Sequence, residues 1–173
     1  MAGYLGRVQM GEMTLVRPHL SNLLPADAGR YRGYRIAWWA AMAYLVVITV
    51  RSLIHLLAAD GGAQSIATID TSVDGGSNII AIFGQWGAIQ LLLALLLWVL
   101  LLRYRGLTPL VLLVFLIEPV LRGFAGHLKP IETIGTAPGA ALNWFVVPLM
   151  AVLLWLSLCE TGRATSERAP DAR

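Results

Sequence analysis

The chain has 173 residues, of which 57% are hydrophobic and only 13% charged. A soluble domain carries about 25% charged residues, so this chain lacks the polar surface to face water all round. Its mean hydropathy of +0.69 says the same. A net charge of +3 does not argue for nucleic acid, because the basic residues flank apolar segments, where they act as topology determinants and headgroup contacts.

Residues 1–30 contain no long apolar core, so no cleavable secretory signal is expected and the first spanning helix would itself direct insertion. Spaced apolar positions here (Val8, Met10, Met13, Leu15, Val16, Leu20, Leu23 and Leu24) fit either a short interfacial helix or a partly ordered cytoplasmic segment.

Four apolar stretches follow, over about 36–59, 79–102, 107–124 and 140–158. Each approaches or exceeds the ~17–25 residues that a ~30 Å hydrocarbon layer needs. The third contains Pro119 and the fourth Pro148. Residues 31–160 therefore read as one all-α integral membrane domain, four transmembrane helices in an up-down-up-down bundle. Residues 161–173 read as a disordered cytoplasmic tail.

Orientation follows from the flanks. Arg7, Arg17, Arg30, Arg32 and Arg35 precede the first helix, Arg103 and Arg105 separate the second and third, and Arg163, Arg168 and Arg173 follow the fourth. The two opposite loops hold Lys129 alone. The positive-inside rule then puts both termini in the cytoplasm. Tyr31, Tyr34, Trp38, Trp39, Tyr104 and Trp155 fall at the inner interface and Trp144 at the outer one. Trp86 lies deeper, where its indole N–H requires a partner. Twelve arginines against a single lysine suggest a GC-rich bacterial genome, and hence an inner membrane.

The outer loops differ. Residues 60–78 are Gly-rich and carry Asp60, Asp70 and Asp74 with no base, whereas residues 127–139 are short and punctuated by Pro and Gly. Arg30-Tyr-Arg-Gly33 before the first helix and Arg103-Tyr-Arg-Gly106 before the third are followed at similar distances by Arg51 and Arg122. The match reads either as a parallel duplication of a two-helix hairpin or as a chance likeness between juxtamembrane clusters.

Ionisable residues inside the spans are the default place to look for function. Arg51 with His55, and Glu118 with Arg122, have i,i+4 spacing and share a helix face. At 1.5 Å per residue, Arg51 and Arg122 lie about 22 Å from the cytoplasmic face and Glu118 about 16 Å. Gln85, Gln90 and Asn143 reach the same outer half from the other two helices, so Arg51, His55, Gln85, Glu118, Arg122 and Asn143 form the candidate ligand-binding set. Pro119 and Pro148 each free a helical carbonyl near this layer. Ala81, Gly84 and Ala88 form a small-residue stripe for close helix contact.

The layer carries an excess positive charge. Its compensation is either the acidic loop or an anionic or carbonyl-bearing amphiphile, a lipid or a quinone, for which Arg is the suited residue. The bland alternatives are a local Glu118–Arg122 ion pair, Arg51 as an interface anchor, His55 as a plain boundary residue, and amides acting as interhelical glue.

Three functions from different classes fit. The favoured one is a small non-enzymatic membrane protein that binds such an amphiphile or docks into a homo-oligomer or larger membrane complex. The second is a small transporter or proton-coupled subunit using Glu118, His55 and Arg122. The third is a haem or other intramembrane redox protein built on His55 and His127. No GxSxG, HExxH or Cys-pair chemistry is present in the sequence, so no catalytic residue, metal ligand set or particular cofactor is indicated.

Overall fold

The computed structural model describes residues 17–161. It is all-helical, with α1 at Arg35–Leu57, α2 at Gly76–Arg103, α3 at Thr108–Leu128 and α4 at Pro138–Leu158. All four are long and apolar enough to cross a membrane. The expectations for residues 1–16 and 162–173 lie outside the described residues. The four helices cover the four expected stretches, and the main difference is at α3. It runs on to Leu128, so His127 belongs to the helix rather than to a loop.

Local chemistry sets the boundaries. Pro109 and Pro138 sit in the first turns of α3 and α4, where their missing N–H costs no helical bond. Pro119 and Pro148 lie inside continuous helices, which the membrane setting tolerates when neighbours serve the freed carbonyls.

α1 packs mainly on α2, and α3 mainly on α4. Contacts between α1 and α2 run in opposite order along the two helices. Trp38 Nε1 donates to Leu101 O at 3.0 Å, Trp98 Nε1 donates to Thr49 Oγ1 at 3.0 Å, and His55 packs on Phe83. Apolar surface gains nothing by leaving lipid for another helix, so such pairs depend on close fit and interhelical hydrogen bonds. Gly87 provides the close fit: a Cβ there would lie 2.6 Å from Leu56 N and 2.8 Å from His55 Cβ. The expected stripe is displaced by this finding, since Ala81 and Ala88 are exposed.

The two pairs share one core. It comprises Ala37, Ala41 and Leu45 of α1, Ala94, Leu97 and Leu101 of α2, Val111, Leu112 and Phe115 of α3, and Met150 and Leu153 of α4. Past Phe115 only Pro119 of α3 is buried, and no residue of α4 from Ala141 to Leu149 is. Burial between the two helix pairs is thus concentrated at one end, while α1 and α2 stay in close contact at the other. The remaining surface of the spans is apolar and outward-facing, with Trp144 and Phe145 84% and 74% exposed.

At the packed end, residues 17–34 form a strap across the helix ends. His19 N donates to Leu158 O, Asn22 Nδ2 donates to the same oxygen, and Gly106 N donates to Ala28 O at 2.7 Å. Gly33 lies against Ser157 O, and Gly106 against the backbone of Asp27 and Ala28, with no room for a side chain at either. Both glycines of the Arg-Tyr-Arg-Gly motifs are therefore close-approach positions, against different partners. At the opposite end the two long loops meet: Ile134 N donates to Thr68 O and Thr68 Oγ1 to Gly135 O.

Candidate functional site

The end with less burial between the two helix pairs carries the ionisable cluster. Tyr44, Ile48, Arg51 and His55 recur at spacings of four, three and four, which makes them one stripe of α1. Glu118 and Arg122 face them from α3, Gln90 from α2, and Asn143 adds an amide from α4.

Glu118 is the hub. Its Oε1 lies 3.0 Å from Arg122 Nε and 3.8 Å from Arg51 Nη2. Arg122 Nη2 donates to Asn143 Oδ1 at 3.0 Å, which ties α3 to α4. The surrounding donors assign the Gln90 amide with its oxygen toward Trp86 Nε1 at 3.1 Å and Arg51 Nη2 at 3.0 Å, since the reverse orientation would set its NH2 against both. Trp86 thereby obtains the partner its depth demands, and its ring lies 5.6 Å from the Arg51 guanidinium carbon. One polar chain runs Trp86–Gln90–Arg51–Glu118–Arg122–Asn143 through all four helices.

Two features of this chain are unbalanced. Two guanidinium groups share one carboxylate, leaving +1 without counting His55. Arg51 Nε is buried and has no hydrogen-bond partner, a condition that costs about 1–3 kcal/mol for an ordinary group and more for a charged one.

Among the described residues, the acidic loop makes no ion pair with Arg51 or Arg122. Asp60 accepts from Gly62 N at 2.9 Å and Ser65 N at 2.7 Å, and these backbone donors hold its carboxyl well below the usual range, at about 2. Asp70 accepts from Ser72 N and Oγ, which lowers its carboxyl too. Both carboxylates cap turns of their own loop.

His55 stands beside the cluster and is 3% exposed. Its Nδ1 lies 2.8 Å from Gly61 O, and a carbonyl only accepts, so Nδ1 carries the proton. Phe83 and Trp86 pack on its ring, and Gly62 lies close enough that a Cβ would sit 2.9 Å from Nδ1. This is a well-packed anchor for the following loop. His127 is exposed near the end of α3. No group of three or more His, Cys, Asp and Glu side chains suited to a metal ion occurs among the described residues.

The structure thus unites Arg51, Glu118, Arg122 and Asn143 directly and sets His55 one residue layer away. Gln85 is exposed, and the amide at the cluster is Gln90. Helical phase decides this: on α2, Gln90 lies four residues from Trp86 and seven from Phe83, on the side that meets α1. Tyr44 is a site neighbour that the charge pattern does not reveal, although its position two turns before Arg51 was a usable signal.

Two cavities adjoin the cluster and share Val114 and Glu118. One is a chamber of about 40 Å³ bounded by Tyr44, Arg51, Gln90, Phe115 and Glu118 among others. The second is an open groove of about 570 Å³ between Trp86 and the α3 face formed by Ile117, Leu121, Arg122 and Ala125. The groove is within the ~300–1,000 Å³ of ordinary small-molecule sites.

Comparison with known proteins adds no constraint: no family model, curated protein or solved structure matches this chain.

Proposed function

We propose that this is a multi-pass membrane protein that binds an anionic or carbonyl-bearing amphiphile taken laterally from the bilayer. In this reading the four helices run up-down-up-down with both termini cytoplasmic, on the strength of ten flanking arginines against one lysine. The arginine-rich composition favours a bacterial inner membrane. The carrying observation is the +1 cluster of Arg51, Glu118 and Arg122 opening onto the groove beside Trp86. A charged group kept in a low-dielectric setting needs compensation, and a bound headgroup oxygen supplies it.

The sparse burial between the helix pairs at this end supports the same reading, since an amphiphile can slide in sideways without the bundle unfolding. A proton or substrate relay through Glu118, His55 and Arg122 has less support, because the core that the four helices share on the other side of the cluster is built of apolar residues. Docking into a complex would instead cover the groove with protein.

Native mass spectrometry of the full chain released from detergent tests the proposal. A bound amphiphile is expected on the wild-type protein and absent from an Arg51→Ala, Arg122→Ala double variant. Equal recovery from both proteins overturns it.

A further inference from the structure

The chemistry of the ligand can be narrowed, on the premise that the amphiphile-binding reading above is correct. We infer that the site takes a single-chain carboxylate amphiphile, whose headgroup enters the chamber and replaces Glu118 as the partner of Arg51.

Charge sets the first limit. Glu118 is 3.0 Å from Arg122 and 3.8 Å from Arg51, so one of its two pairs is tight and the other stretched. A ligand bearing one negative charge at Arg51 turns this three-member cluster into two one-to-one pairs, ligand with Arg51 and Glu118 with Arg122. A neutral carbonyl leaves the excess in place, and a doubly charged phosphomonoester overshoots it.

Geometry sets the second. Nε–H and Nη2–H form the side-on fork of a guanidinium, which matches the two oxygens of a carboxylate. In Arg51, Nη2 serves Gln90 and reaches toward Glu118, while the buried Nε has no acceptor. Nε is closed to a water-sized group as the side chain stands, so a carboxylate gains this edge through a small turn of the Arg51 guanidinium and then satisfies Nε.

Size sets the third. The chamber of about 40 Å³ admits a group on the scale of a water or two. That accommodates a carboxylate, whereas a phosphodiester with its glycerol does not fit. Glu118 and Val114 border both cavities, so the path from chamber to groove passes between them. The tail then lies along Ile117, Leu121 and Ala125 against Trp86, an apolar run on one helix with room for one chain.

Glu118 therefore doubles as a built-in competitor that holds Arg51 loosely through Nη2 alone when no ligand is bound. Lateral capture would proceed as an exchange of one carboxylate for another at Arg51, and it would end with each guanidinium paired.

The test is equilibrium binding of palmitate to the full chain in nanodiscs, with methyl palmitate and phosphatidylglycerol as comparators. Palmitate is expected to bind about tenfold or more tightly than methyl palmitate, as a charge-assisted contact implies. Arg51→Ala should erase that preference, and Glu118→Gln should increase palmitate affinity. A loss of affinity in Glu118→Gln as large as in Arg51→Ala overturns the exchange. Should either variant fold poorly, carboxyl-labelled palmitate on the wild-type protein decides the matter by its carbon resonance. A single immobilised carboxylate signal supports the inference, and a signal unchanged from free bilayer overturns it. Arg51-dependent binding of phosphatidylglycerol with none of palmitate overturns this inference while sparing the broader function. Absence of all three ligands, or a dimer that seals the groove, removes both.

Discussion

Arg51 of α1 and Glu118 of α3 meet at 3.8 Å across the seam between the two helix pairs. Each is better held within its own pair, Arg51 by Gln90 of α2 and Glu118 by Arg122 of α3. The seam is thus joined by the longest link in the polar chain. Within the polar chain, a small separation at this point breaks only the stretched contact and leaves the Arg51–Gln90 and Glu118–Arg122 bonds whole.

Removing the hub should cost stability. Glu118→Gln leaves two guanidinium groups without a counter-charge and is expected to destabilise the protein by about 1–3 kcal/mol. This is below the 3–5 kcal/mol of a fully buried pair because these side chains remain about one-third exposed. Unfolding midpoints in detergent measure it. A Glu118→Gln, Arg122→Gln double variant should lose less than the sum of the single losses, by about 0.5 kcal/mol or more. Additive losses would mean that Glu118 and Arg122 do not act as a unit.

Helix packing gives a sharper contrast between two glycines on α2. Gly87→Ala places a methyl group against the backbone of Leu56 and the His55 side chain and should cost about 1–3 kcal/mol by overpacking. Gly84→Ala meets nothing nearer than His55 O at 3.9 Å and should be neutral or slightly stabilising, since Ala is the better helix former. Comparable losses in both variants would show that α1 and α2 are not held at the distance seen here.

Those two glycines also show what the sequence makes legible. Span lengths, arginine flanks and the i,i+4 charge pairs are one-dimensional signals, and they located the helices and four members of the cluster. Rotational phase is a different quantity. Both faces of α2 are apolar and carry small and amide residues, so neither Gly84 against Gly87 nor Gln85 against Gln90 can be chosen without the partner helix. The local role of the acidic loop is hidden for a related reason: the backbone N–H groups that Asp60 and Asp70 accept from become visible only once the turns are folded. The strap formed by residues 17–34 is not legible from its spaced leucines, which suggest an interfacial helix or a loose segment, because its contacts are backbone bonds to helix ends.

Asp60 sets an acid limit on the loop between α1 and α2. Its carboxyl is held at about 2 by Ser65 and Gly62 N–H groups, below the usual value near 3.8, so folding favours the ionised form. The contribution is fully present above pH ~4 and is lost as pH falls through ~2. Protection factors of the amides of residues 61–67, relative to intrinsic exchange at each pH, should therefore fall between those values. Asp60→Asn should show faster exchange already at neutral pH and a flatter acid response. An identical acid profile in the variant would mean that another group controls this loop.

Cys159 reports on the strap at the other end. Its side chain is fully buried, its Sγ lies 3.1 Å from Trp155 O, and burial pushes the thiol up. Both conditions suppress the thiolate that reacts with maleimides. Backbone pairing of Pro18 with Cys159 covers it, and the buried Asn22 amide fastens the strap to Leu158 O at 3.0 Å. Asn22→Ala removes that bond and leaves the carbonyl to the His19 N–H alone, at a cost of about 1 kcal/mol. The population of strap-open molecules, and with it the alkylation rate of Cys159, should rise about fivefold. Because Cys159 is the single cysteine of the chain, the whole maleimide signal comes from this position. An alkylation rate unchanged by Asn22→Ala would mean that the strap does not govern access to the thiol.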